Sequence, residues 1–142
     1  MRIMAIDYGD AHTGIAISDP TGFLTGFSTT INSRSPEEVA RRIAGLALEH
    51  SVSELVLGYP KNMDGSIGPR AEKAVGVAET LRDLTSLPVT LWDERRTTID
   101  AHQILMNNGK NAKKRKKTVD AVAASLILEG YLTYKRQPGS AE

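Results

Sequence analysis

Arg2-Ile3-Met4-Ala5-Ile6-Asp7-Tyr8-Gly9 is the stretch that decides the fold. Its unbroken apolar run predicts a fully buried β-strand over residues 2 to 7. Gly14-Ile15-Ala16-Ile17-Ser18 follows a glycine-containing connection, which predicts a second strand joined to the first as a hairpin. Residues 23 to 31 alternate weakly and are predicted to form a third strand. The chain therefore opens with three consecutive strands.

The remainder of the chain alternates between helices and strands. Ser35, Pro36 and Glu38 predict a helix start with a serine cap, a proline at the first position and a capping box. Further strands are predicted over residues 54–58 and 88–92, and further helices over residues 70–84, 98–107 and 118–134. Three hairpin-linked strands followed by alternating units predict an α/β protein with a mixed five-stranded sheet and helices on both faces.

Length and composition narrow the possible classes of protein. The 142 residues suit one domain, predicted over residues 1–136 with a frayed, disordered tail at 137–142. The absence of cysteine excludes disulfides and thiolate metal sites, and three dispersed histidines argue against zinc. No apolar run reaches the length of a membrane span and no signal peptide precedes the first strand, so we expect a cytoplasmic protein without a membrane partner.

The net charge of +1 hides a local excess of positive charge. Residues 110 to 117 carry six of the 18 basic side chains and no acid, which leaves 12 bases against 17 acids elsewhere, a net charge of −5. The six are Lys110, Lys113, Lys114, Arg115, Lys116 and Lys117. We interpret this segment as a basic loop that binds backbone phosphate, and a solvated surface loop is the alternative.

Acidic residues follow two of the apolar runs, and one acid from each is a candidate site residue. Asp7 ends the first strand, where a carboxylate is costly unless it is solvated, hydrogen-bonded or bound to metal; the alternative role is an ordinary turn residue. Asp93 and Glu94 follow the fifth strand; if the strand continues to them they point to opposite faces, so only one of them joins a site on one face. The residues alone do not say which one, and an ion pair with Arg95 is the alternative.

A third acid, Asp120, lies near the start of the last predicted helix. At about 100° per residue it lies opposite the polar stripe that contains Glu129 and therefore faces the protein. Stabilisation of the helix dipole, with Thr118 as the cap, is the alternative role. Three carboxylates at strand ends and on a covering helix can converge on a divalent metal. Acidic residues that can bind a metal ion, close to basic residues that can bind phosphate, predict a nuclease.

The segment from Gly58 to Arg70 is rich in glycine, proline and small polar residues. It ends at a predicted helix start and offers amides, hydroxyls and cations that can hold a phosphate. An ordinary surface loop is the alternative. The candidate phosphate ligands are Lys61, Asn62, Ser66 and Arg70, to which Arg95 is added from the fifth strand end.

Four motifs, in order and over nearly the whole chain, resemble one known family, the bacterial YqgF family of Holliday-junction-resolvase-like proteins and pre-16S rRNA nucleases. They are Asp7-Tyr8-Gly9 with Gly14 to Asp19, Asn62 to Ser66, Asp93-Glu94-Arg95 with Thr97-Thr98, and Lys116-Lys117 with Asp120 to Ala124. The resemblance implies an RNase H-like fold and a role in maturing the 5′ end of pre-16S rRNA. It also implies catalytic, metal-binding acids at Asp7, Glu94 and Asp120 with Mg²⁺ or Mn²⁺, and it selects Glu94 over Asp93.

One departure from the family pattern is His12, which stands where the family usually has arginine. A largely neutral histidine would bind phosphate less well at pH 7. A solvated hairpin residue is the alternative role for this position.

Other functions stay open at the level of sequence. A DNA Holliday-junction resolvase, acting on branched DNA, would share the fold and chemistry predicted for cleavage of structured RNA. A nucleotide-binding domain of the actin and sugar-kinase type would need a second domain to close over ATP. A non-catalytic RNA-binding factor for ribosome assembly would need no metal. Both a monomer and a homodimer are compatible with the sequence, and the aromatic content of 5% argues against extensive base stacking.

Overall fold

The computed structural model describes residues 2–21, 25–59, 68–93 and 112–136, and within the last range it describes the side chains of residues 122–135. Five strands and three helices occupy these ranges. In chain order they are β1 (Arg2–Asp7), β2 (His12–Ser18), β3 (Thr25–Asn32), α1 (Pro36–Glu49), β4 (Val52–Tyr59), α2 (Pro69–Thr85), β5 (Val89–Asp93) and α3 (Ala112–Arg136). All five predicted strands are present, so the predicted β-β-β-α-β-α-β order is confirmed.

The strands form one mixed sheet in the order β3-β2-β1-β4-β5. β1 and β2 pair antiparallel with Ala5 opposite Ala16, and β2 pairs antiparallel with β3. β4 lies parallel to β1 and β5 lies parallel to β4. The hairpins produce the antiparallel half, and the helical crossovers α1 and α2 produce the parallel half. The predicted mixed sheet is therefore confirmed.

One face of the sheet packs against α1 and α2, and we call it the α1/α2 face. Its buried strand residues include Met4, Ile6, Ile15 and Leu57, which pack against apolar residues of the two helices. The helical contributors are Val39, Ala40, Ile43, Ala47, Ala74, Val77, Ala78 and Leu81. Val77 belongs to the buried stripe of α2 because it lies about one turn after Ala74.

The opposite face, which we call the α3 face, packs against the last helix. Ile3, Ala5 and Val56 of the sheet form a second buried cluster together with Trp92. The helix contributes Ala124, Ile127, Leu128, Tyr131 and Leu132. Alternate residues of β1 thus enter different cores, which explains why the strand is apolar from Ile3 to Ile6. Helices on both faces of the sheet are confirmed.

The start of α1 follows its predicted capping only in part. The side chain of Ser35 accepts a hydrogen bond of 3.2 Å from the Glu38 amide, as predicted, and Pro36 is the first helical residue. The reciprocal half of the capping box is wrong, because the Ser35 amide donates at 3.1 Å to the Ser33 hydroxyl. Ser33, two residues before the cap, satisfies the donor that the box reserves for Glu38.

The predicted start of the last helix is also wrong. α3 begins at Ala112 and not at Thr118, so the segment Lys113–Lys117 is helical and is not a loop. Lysine, arginine and alanine have high helix propensities, and residues 112–117 contain neither glycine nor proline. Thr118 therefore cannot be the cap, and Asp120 lies in the third turn and not in the first.

Several predictions fall outside the described residues. They are the helix over 98–107, the tail 137–142, the site residues Lys61, Asn62, Ser66, Glu94 and Arg95, and Lys110 of the basic segment. Among the helices that are described, none is both long and apolar enough to cross a membrane.

Candidate functional site at the carboxyl ends of β1, β4 and β5

The carboxyl ends of three parallel strands meet at one edge of the sheet. β1 ends at Asp7, β4 at Tyr59 and β5 at Asp93, and Tyr59 lies directly beside Asp93. In sheets of this kind ligands bind outside the carboxyl ends of the strands. The first predicted acid, Asp7, is therefore located where such a fold presents its functional groups.

Asp7 lies on the α3 face between two glycine positions. On β2 its direct partner is Gly14, which shares the face of Ala16. On β4 the neighbouring position is Gly58, which follows the Ile6–Leu57 pair and lies beside Trp92. Neither glycine places a side chain next to the half-buried carboxylate. Both glycines are buried, so backbone alone lines the α3 face beside Asp7 on the two neighbouring strands.

Strand alternation on β5 separates the two adjacent positions at its end. Trp92 is buried on the α3 face, whereas Val89 belongs to the core of the α1/α2 face and Leu91 packs against it. Asp93 has the same parity as these two residues and therefore lies on the α1/α2 face. Asp7 and Asp93 are thus at the same edge but on opposite faces of the sheet.

Asp120 lies on α3, the helix that covers the face of Asp7. It is one helical turn before Ala124, which is fully buried against the sheet. The structure describes the backbone of Asp120 but not its side chain. The third-turn position removes the alternative role in which this acid stabilises the helix dipole, because that effect fades beyond the first turn.

A buried polar cluster fixes the carboxyl-terminal half of α3 on the sheet. The hydroxyl of Tyr131 donates to Glu54 Oε2, and Lys135 Nζ lies 2.9 Å from Glu54 Oε1. Glu54 is 9% exposed and Tyr131 is 6% exposed. The ring of Tyr131 also packs edge-on against Trp92, with 5.7 Å between centroids. Glu54 therefore ties α3 to β4 at two points.

The titration of this cluster follows from its contacts. Burial, together with the hydrogen bond to Glu54, raises the pKa of Tyr131 above its ordinary value of 10.0. The hydrogen bond to Glu54 raises the pKa of Lys135 above 10.5. The sequence did not indicate a role for Glu54, because an acid at the start of a short apolar strand is normally expected to be exposed to solvent.

Arg70 and His12 are the remaining predicted residues whose side chains are described. Arg70 is exposed in the first turn of α2, where its charge helps to lower the pKa of Asp10. His12 is exposed at the start of β2, and its Nδ1 lies 2.7 Å from Asn32 Oδ1. This contact within the β2–β3 pair agrees with the role of a solvated hairpin residue.

Among the described residues, no group of three histidine, aspartate or glutamate side chains could hold a metal ion. Of the three predicted ligands only Asp7 has a described side chain. The carboxylate of Asp7 is a hard oxygen donor that suits Mg²⁺ or Mn²⁺.

Comparison with solved structures supports the fold at low sequence identity. RuvC of T. thermophilus, in complex with a Holliday junction substrate, matches with a TM-score of 0.62 at 15% identity, over 96% of this chain and 97% of that chain. The Fowlpox virus resolvase, solved with Holliday junction DNA, matches with a TM-score of 0.63 at 13% identity, over 96% of this chain and all of that one. The predicted RNase H-like fold is confirmed.

Comparison of sequences defines the family. A protein of Halothermothrix orenii named "Putative pre-16S rRNA nuclease" is 45% identical over 137 residues, which is 96% of this chain and 98% of that protein. The family model described as "RuvX: Holliday junction resolvase" matches residues 1–134. The resemblance carried by the four sequence motifs is therefore confirmed, and the chain belongs to the RuvX family of Holliday junction resolvases.

Proposed function

We propose that this protein is a metal-dependent nuclease that hydrolyses phosphodiester bonds in the 5′-end maturation of pre-16S rRNA. The observation that carries the proposal is the position of Asp7, a half-buried carboxylate at the carboxyl edge of the sheet with glycine on both neighbouring strands. Family membership and a relative named as a pre-16S rRNA nuclease support the activity and the substrate.

Asp7, Glu94 and Asp120 are the residues that would hold Mg²⁺ or Mn²⁺. Position 94 comes two residues after Trp92, so continuation of the β5 alternation would place it on the α3 face with Asp7. Position 120 lies one turn before a buried residue of the helix on that face. Asp93 lies on the other face, which supports the choice of Glu94. Divalent metal, when bound, activates water and stabilises the leaving oxygen.

The protein itself supplies two further functions at this site. Asp7 offers a fixed anionic ligand, because its strand is hydrogen-bonded on both sides by β2 and β4. Glu54 holds α3 against the sheet through Tyr131 and Lys135. These contacts fix the rotation about its own axis of the helix that carries Asp120. Asp7 on β1 and Asp120 on α3 are then held in a constant relative position.

The basic segment 113–117 supplies affinity for the nucleic-acid backbone. Its helical conformation replaces the predicted loop, and it ends three residues before Asp120 on the same helix. Side chains at successive helical positions spread around the axis, so we expect a subset of the five cations to contact phosphate. Lys61, Asn62, Ser66, Arg70 and Arg95 are the other proposed nucleic-acid ligands.

A DNA junction resolvase is the second candidate function. It is favoured by the description of the matching family model. Cleavage of precursor 16S rRNA and of a four-way DNA junction, each measured with Mg²⁺, with Mn²⁺ and with chelator, separates the candidates. We expect metal-dependent cleavage of the RNA near its mature 5′ end. Junction cleavage alone would identify a resolvase, and binding of RNA without cleavage would identify a non-catalytic assembly factor.

A further inference from the structure

A cleft lies on the α1/α2 face, close to the edge that carries Asp7. It encloses about 600 Å³ between the turn after β1, the start of α1 and the first half of α2. Its charged and polar lining consists of Tyr8, Asp10, Arg34, Glu37, Lys73 and Thr80. None of these residues belongs to the set proposed above for metal or nucleic acid.

Asp10 lies within a field of three cations. Lys73 Nζ lies 2.9 Å from Asp10 Oδ1, and both side chains are more than half exposed, at 55% and 65%. The hydrogen bond and charge of Lys73, with the charges of Arg70 and Arg34, hold the pKa of Asp10 below 3.8. The Asp10 carboxylate thus lies among three positive charges, and Glu37 is the other acid that lines the cleft.

The turn after β1 connects this cleft to the proposed catalytic edge. Tyr8 packs against the core of the α1/α2 face, whereas the preceding residue, Asp7, lies on the α3 face. Gly9 permits the tight turn that follows, because a Cβ at this position would lie 2.4 Å from the His12 carbonyl oxygen. A nucleic-acid strand that passes over the carboxyl end of β1 would therefore meet Asp7 first and the cleft next.

We propose that this cleft binds a backbone phosphate of the nucleic-acid strand, and that Asp10 occupies the position of that phosphate in the free protein. The inference rests on the proposed function, since a strand cleaved at Asp7 has to continue past the end of β1. Binding would exchange one acceptor of the Lys73 ammonium for another. Asp10 then acts as an internal competitor that weakens the binding of nucleic acid.

The exchange is physically inexpensive. Exposed ion pairs contribute little net stability, so the Lys73–Asp10 pair opens readily. A phosphate offers the same kind of charge-assisted hydrogen bond to Lys73 and can also interact with the planar guanidinium of Arg34 or Arg70. The cleft therefore gains contacts when a phosphate displaces the carboxylate.

Binding of a single-stranded RNA in chelator, followed by fluorescence anisotropy, tests the inference without cleavage. We expect Asp10→Asn to lower the dissociation constant by about two- to fivefold, the effect of one exposed charge pair. Lys73→Gln should raise the dissociation constant by a similar factor and reduce the slope of log affinity against log salt by ~0.7. In the Lys73→Gln background, Asp10→Asn should have a smaller effect.

Two matched controls separate local contact from total charge. Asp83→Asn removes an exposed acid of α2 that lies about 15 Å along the helix from Lys73. Arg42→Gln removes an exposed cation of α1 that does not line the cleft. We expect each control to change affinity by much less than its counterpart in the cleft. Equal effects of Asp10→Asn and Asp83→Asn, or no effect of Asp10→Asn, would overturn the inference.

The cleavage assay shows separately whether the proposed function holds. If the wild type cleaves RNA but Asp10→Asn binds no more tightly, the nuclease proposal stands and the inference about the cleft is wrong. If no metal-dependent cleavage occurs but Asp10→Asn binds RNA more tightly, the nuclease proposal fails and the cleft remains a phosphate-binding site.

Discussion

Removing the Tyr131 hydroxyl should destabilise the protein by about 2 kcal/mol. Tyr131→Phe keeps the ring that packs against Trp92 but deletes the donor to Glu54 Oε2. Both partners are less than 10% exposed, so water cannot readily replace the lost bond. Hydrogen bonds to charged groups contribute about 1.5–3 kcal/mol. We take a value within this range because Lys135 still neutralises the other carboxylate oxygen.

Urea unfolding followed by circular dichroism measures this effect. With an m-value of about 2 kcal/mol per molar, the midpoint should fall by about 1 M. Tyr134→Phe is the matched control, since this tyrosine lies on the same helix and is 38% exposed. Replacing both partners, as in Tyr131→Phe with Glu54→Leu, should cost less than the sum of the single changes. A loss below about 0.5 kcal/mol in Tyr131→Phe would refute the reasoning that α3 is fixed through Glu54.

Three further predictions concern pH, helix capping and substrate affinity. Folding raises the pKa values of Tyr131 and Lys135 above their ordinary values of 10.0 and 10.5, so both groups contribute their full stabilisation at a pH below these values. The free energy of unfolding, measured against pH, should therefore fall as the pH rises above about 10. Ser35→Ala should lower the free energy of unfolding by about 1 kcal/mol in the same urea assay, because a helix cap is lost. Alanine at the first three lysines of segment 113–117 should weaken the binding of RNA of any sequence, and should reduce the slope of log affinity against log salt by ~0.7 per lost contact. The cleavage rate at saturating RNA should change much less. Unchanged binding would contradict a role of the segment in affinity.

The elements of the fold could be predicted from the sequence because their signals are local. The apolar run of β1 and the cap of α1 each depend on a few neighbouring residues, and both are present. Asp7 could be located at a strand end for the same reason. The start of α3 was missed, because a run of cations reads as a loop although lysine and arginine are good helix formers.

The surroundings of the candidate site could not be predicted, because they depend on strand register and on distant contacts. Gly14 and Gly58 come to flank Asp7 only through the pairing of β1 with both β2 and β4. Glu54 and Tyr131 are 77 residues apart in the chain, and no local pattern relates them. The choice of Glu94 over Asp93 came from the family resemblance, and the parity of β5 now supports it.

The most direct test of the central claim is the rate at which precursor 16S rRNA is cleaved by Asp7→Asn and by Asp93→Asn, compared with the wild type, in Mg²⁺ and in chelator. The two acids lie at the same edge of the sheet but on opposite faces, so each variant is a control for the other. We predict that Asp7→Asn is folded, as judged by circular dichroism, but cleaves no faster in Mg²⁺ than the wild type does in chelator. Asp93→Asn should retain most of the wild-type rate. A wild-type rate in Asp7→Asn, or equal losses in both variants, would contradict a metal-dependent nuclease centred on Asp7.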